Sequence, residues 1–133
     1  MSDELHVVFD ETALVAAGRG NALVSRLIHH AHQQQGWFLY ATVCALVEAD
    51  RARPGTAEHI AALPGITVVN LDLPAALAVA REETWAVAHS WYAAKPTPDR
   101  PYGSVVVTAH PKSWKGPSVR VLDLRPRQSD GEG

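Results

Sequence analysis

Asp10, Glu48, Asp72 and His110 each follow, or stand one turn beyond, a short apolar run, and most of the chemistry this chain could do lies with them. His6-Val7-Val8-Phe9 ends at Asp10, with Glu11 and Thr12 next in line. Trp37-Phe38-Leu39-Tyr40 leads into a segment carrying Glu48, with Asp50 two residues on. Ile66-Thr67-Val68-Val69 runs out at Asn70 and Asp72, and Val105-Val106-Val107 ends in Thr108-Ala109-His110. Carboxylates drawn together from separate strands can hold Mg²⁺ or Mn²⁺, which prefer oxygen ligands. Such an ion activates water and stabilises the charge that builds up in phosphoryl transfer.

The elements that must position these groups follow from the period of the apolar residues. The four runs named above predict strands, and Val119-Arg120-Val121-Leu122 predicts a fifth. Between them apolar residues recur at helical spacing. Asn21 is placed to cap a helix through Leu23, Leu27 and Ile28, and Thr42 one through Leu46 to about Arg53. A short helix fits Thr56 to Leu63, and an alanine-rich helical region runs from Pro74 to Ala94 with a break near Glu82–Thr84. Strands alternating with helices predict an α/β three-layer sandwich with a mainly parallel, five-stranded sheet. Residues 1–125 are expected to form the domain, and the polar stretch 126–133 a flexible C-terminal tail.

Composition narrows the classes. The chain has 133 residues, 47% of them hydrophobic and 20% charged, which is the profile of one globular domain. No apolar run reaches the roughly 18 residues of a membrane span, and the start lacks the basic region of a signal peptide. Cys44 is the single cysteine, so neither an internal disulfide nor a cysteine-rich zinc site is possible. A cytoplasmic location without membrane contact is the expectation. Net charge is −2, yet residues 1–83 carry five Lys/Arg against ten Asp/Glu, and residues 84–133 carry seven against four. The basic half, including Lys95, Lys112 and Arg120, offers phosphate contacts, while the acidic half gathers carboxylates.

The order Asp10-x-Thr12-x-Leu14 after a strand, Leu46-Val47-Glu48 on a helix, and a strand ending near Leu71-Asp72 resembles the PIN domain. The resemblance continues through Ala86-Val87-Ala88-His89 and Val105 to His110, covering about residues 5–124. It is closest to the VapC-type toxins of bacterial toxin–antitoxin pairs. It implies a metal-dependent endoribonuclease in which Asp10 and Glu48 hold Mg²⁺ or Mn²⁺, while Thr12 and Thr108 orient the pocket. It also implies RNA as a partner, a cognate antitoxin-like protein, and a homodimer. The family's third and fourth acidic positions fall on Ala86 and His110. Glu83, one helical turn before Ala86, or Asp99 in the proline-rich loop are the replacement ligands within reach. His110 would serve as an acid–base group or favour a transition metal over Mg²⁺.

Two other readings fit the same residues. A degenerate PIN-like module without metal, kept to bind a protein or RNA, needs no replacement for the missing acids. A receiver-like phosphoacceptor would use Asp10-Glu11, Asp72 and Thr108, although Arg125 stands where that class needs lysine. The histidines at 29, 30 and 32 read as a polar helix surface, His89 as a packed core histidine, and Trp85, Trp91 and Tyr92 as core or interface residues.

Overall fold

A computed structural model describes residues 4–33, 36–114 and 119–125, so the tail expected at 126–133 lies outside the described residues. Five strands, β1 (Leu5–Phe9), β2 (Trp37–Thr42), β3 (Ile66–Val69), β4 (Val105–Thr108) and β5 (Arg120–Asp123), form one sheet in the order β3-β2-β1-β4-β5. Every pairing is parallel. The intervening helices are α1 (Glu11–Gly18), α2 (Ala22–Gln33), α3 (Val43–Ala52), α4 (Thr56–Ala61), α5 (Leu73–Val79) and α6 (Trp85–Ala94). A 3₁₀ turn, Pro111–Trp114, follows β4.

Alternation along the strands builds two cores. Val7 and Phe9 of β1, Leu39 and Ala41 of β2, and Val107 of β4 face a layer that includes Leu14, Val24, Leu46 and Ile60. Val8 and Val106 point the other way, onto Ala94 of α6 and Trp114. With both faces covered, the strands read as continuous apolar runs, as parallel sheets do. The fold is thus the α/β sandwich expected from the sequence, with an all-parallel sheet among the described residues.

Helix starts are set by side-chain caps. Thr42 Oγ1 accepts from the N–H of Ala45, Asn21 Oδ1 from Val24, and Asp72 Oδ1 from Ala75. The break in the alanine-rich region falls at residues 80–84, between α5 and α6. The buried side of α6 is made of Ala86, Ala88, His89, Ser90 and Ala94, which leaves Trp85 and Trp91 exposed. No helix among the described residues is long and apolar enough to cross a membrane.

Candidate functional site

The sheet order places the topological switch point between β1 and β4. In parallel α/β sheets the crevice beyond the strand C-termini at that point is where ligands gather. Asp10, Thr12 and Thr108 meet there. Asp10 is only 1% exposed and caps α1, its Oδ1 accepting from the Ala13 N–H at 2.9 Å and from Thr12 Oγ1 at 2.6 Å. Thr12 Oγ1 in turn accepts from the Ala109 N–H at 2.8 Å and lies 3.2 Å from Thr108 Oγ1. Since the Thr12 proton is committed to Asp10, Thr108 donates to Thr12. Thr108 Oγ1 itself accepts from the His110 N–H at 2.9 Å. Both threonine hydroxyls are thus directed, and the network ends on Asp10.

The remaining Asp10 oxygen has a partner that the sequence did not reveal. Trp114 Nε1 donates to Asp10 Oδ2 at 3.0 Å, and both side chains are buried. The signal available was only a tryptophan six residues after the end of β4, and its direction depends on the 3₁₀ turn.

In front of the crevice lies a cleft of about 640 Å³. It is lined by Glu11, Glu48 and Glu83, by Arg51 as the one cation, and by an apolar set that includes Val47, Leu71, Trp85 and Ala86. Asp10 does not line it. Glu11, which the sequence offered only as the neighbour of Asp10, stands out here: its carboxyl is raised from 4.5 to about 7, by burial first and then by the charge of Asp10, with a smaller push from Glu48. Its own backbone N–H offsets part of that rise. Glu11 Oε1 is buried and has no hydrogen-bond partner among the described residues.

The other candidates are dispersed. Glu48 and Glu83 are exposed and share the cleft. Ala86 forms part of the cleft wall, so the third acidic position of the PIN pattern presents a methyl group. His110 is exposed, and its Nδ1 is 2.8 Å from Ser113 Oγ, within its own turn. Asp99 sits exposed in the proline-rich loop, beside Arg100, whose guanidinium packs 4.9 Å over the Tyr40 ring, and it does not line the cleft. His89 is fully buried, with Nδ1 accepting from the Cys44 N–H at 3.4 Å. Burial lowers its pKa and keeps the ring neutral. Of the helix-α2 histidines, His30 rests against Trp37 with ring centroids 4.2 Å apart.

A divalent cation needs several oxygens converging on one point, with at least some lone pairs open. Among the described residues no three His, Cys, Asp or Glu side chains are grouped closely enough to hold a metal ion. Asp10 has donors on both oxygens, and the three glutamates, though they line one cleft, do not form such a group. The residues present do not fit the metal centre that the PIN resemblance implies. The receiver-like arrangement is not assembled either. Receiver folds order their strands 2-1-3-4-5, whereas Asp72 here lies beyond the edge strand β3, where it caps α5. No protein-family model matches the chain, and no curated protein matches it significantly.

Proposed function

We propose that this chain is a PIN-like binding module whose cleft receives a basic, partly apolar segment of a protein partner, of the kind a cognate antitoxin-like chain would supply. One observation carries the reading: three glutamates line a cleft whose rim exposes Val47, Leu71 and Trp85. An acidic lining attracts lysine or arginine and repels RNA phosphates. The exposed aromatic and aliphatic rim provides the kind of anchor that dominates binding energy. RNA contact would fall instead to the basic residues beyond β4, such as Lys112 and Arg120. Self-association is part of the same reading, since Leu73 and Leu77 extend the apolar rim along α5 and are 70% and 56% exposed.

A synthetic peptide of alternating arginine and leucine tests this by calorimetry. Binding should weaken with salt and be lost in the double variant Glu48→Lys, Glu83→Lys. Absence of binding at low salt would overturn the proposal.

The second reading, a Mg²⁺- or Mn²⁺-dependent endoribonuclease of toxin type, draws on Glu11, Glu48 and Glu83 sharing one cleft. Its test is RNA cleavage that requires Mn²⁺ and disappears in both Glu11→Gln and Glu48→Gln.

A further inference from the structure

We infer that Asp10 in this chain is a structural acceptor rather than a cation ligand, and that Trp114 is the residue that gives it this role. A carboxylate offers about four lone-pair positions. Three are taken by donors from distinct sources: the first turn of α1 through Ala13, the Thr12 hydroxyl, and the 3₁₀ turn through Trp114. The Asp10 N–H is also used, donating to the Val107 carbonyl at 3.1 Å. Asp10 therefore joins β1, α1, β4 and the turn that follows β4.

For Oδ2 to ligate a cation, the Trp114 indole would have to move aside. Trp114 is 3% exposed, so its N–H would be left buried without a partner, which is costly. Among the described residues no group of three His, Cys, Asp or Glu stands there to offset that loss, and Glu11, Glu48 and Glu83 line the cleft in front of the crevice. The acid that the sequence singles out is retained, but its work is to hold the C-terminal part of the domain onto the strand ends. This inference stands on the crevice alone and holds whether or not the cleft takes a basic partner.

Replacing Asp10 by asparagine separates the two roles. Carboxylates grouped to hold a cation repel one another, so a neutral amide stabilises the metal-free protein. In a structural acceptor the amide NH₂ must face a donor, either the Trp114 indole or the Thr12 and Ala13 pair. Urea unfolding in EDTA should show Asp10→Asn raising the unfolding equilibrium constant by at least ~10-fold. In a Trp114→Phe background the same substitution should cost clearly less, so that the cycle reports coupling. A stabilising Asp10→Asn, or strictly additive effects, would overturn the inference.

A second readout needs only the wild type and Trp114→Phe, in case the asparagine variant does not fold. The chain has four tryptophans, and the Trp114 indole N–H resonance is the one missing in Trp114→Phe. It should exchange slowly with solvent and stay slow as Mg²⁺ is added. Faster solvent exchange of that N–H on adding Mg²⁺, as its bond to Asp10 gives way, would place the cation at Asp10 and sink the assignment.

Discussion

Asp10 and Glu11 are adjacent in the chain, yet Asp10 meets donors on both oxygens while Glu11 Oε1 is buried with none. The difference follows from the start of α1. Asp10 is the cap, turned back over the first turn, and Glu11 is the first helical residue, turned outward into the cleft. Two neighbouring acids therefore differ in role: Asp10 holds structure as a carboxylate, while burial at the cleft wall favours the protonated form of Glu11 and leaves the cleft's negative potential to Glu48 and Glu83.

Glu11 should give the domain a pH dependence of defined sign. Its folded pKa of about 7 exceeds the ordinary 4.5, so between those values the folded state binds the extra proton. Stability should therefore fall as pH rises from 4.5 to 7 and stay reduced above 7. At about 1.4 kcal/mol per pH unit the full penalty is on the order of 3 kcal/mol. Glu11→Gln removes the ionisable group, so urea titrations should show a more stable protein at pH 8 and a flatter slope below pH 7. A variant no more stable than wild type at pH 8 would contradict this.

The two threonines should differ in their cost. Thr12→Val removes the donor to Asp10 Oδ1 and strips the Ala109 N–H of its acceptor, two losses in one partly buried place. A destabilisation of roughly 2–3 kcal/mol is expected. Thr108→Val removes the donor to Thr12, at the longer distance of 3.2 Å, and the acceptor for the N–H of His110, a residue whose side chain is exposed. About 1 kcal/mol is expected there. Equal costs in urea unfolding would mean that the hydroxyl chain does not run in the direction assigned to it.

The strand positions and the Asn21 and Thr42 caps were legible in the sequence because each is a local signal: an apolar run, or a capping residue before a helical period. The α1 helix was harder to see, since Glu11-Thr12-Ala13-Leu14-Val15-Ala16-Ala17-Gly18 has little amphipathic contrast and both Ala13 and Leu14 are buried. Asp10 was legible as the end of an apolar run, and Thr12 and Thr108 were joined to it by the resemblance to the PIN domain; the sheet order that brings all three to one switch point is set by pairing between distant strands. Trp114 was not, because its indole reaches Asp10 across 104 residues and only the path of the 3₁₀ turn brings it there. Glu11 was noted in the sequence but weighed only as a neighbour of Asp10; its raised pKa is a product of burial, which no local pattern encodes.

Gly103 is required where the proline-rich loop rejoins the sheet. Its φ is +67°, and a Cβ built there would stand 2.5 Å from the Ala94 carbonyl oxygen. That carbonyl is already engaged with the Ser104 N–H at 2.8 Å, so it cannot give way without cost. Gly103→Ala should destabilise by about 2 kcal/mol or more, through backbone strain and the steric clash together. Thermal unfolding checks it, and a midpoint equal to wild type would show that the loop can re-route.

Trp85 separates a packing role from a binding role. It is 64% exposed at the N-terminus of α6, on the rim of the cleft, so removing its ring opens no cavity in the domain. Trp85→Ala should leave the unfolding free energy within about 0.5 kcal/mol of wild type, as surface substitutions do. In a bound complex the same ring becomes a buried aromatic anchor, whose loss typically costs about 2 kcal/mol or more. Affinity for the arginine–leucine peptide should therefore drop by more than ~10-fold while stability holds. Calorimetry of binding and of unfolding on the same variant reads both quantities. Unchanged affinity would remove Trp85 from the interface and leave recognition to the glutamates with Val47 and Leu71; a large loss of stability would mean that the ring packs against the domain after all.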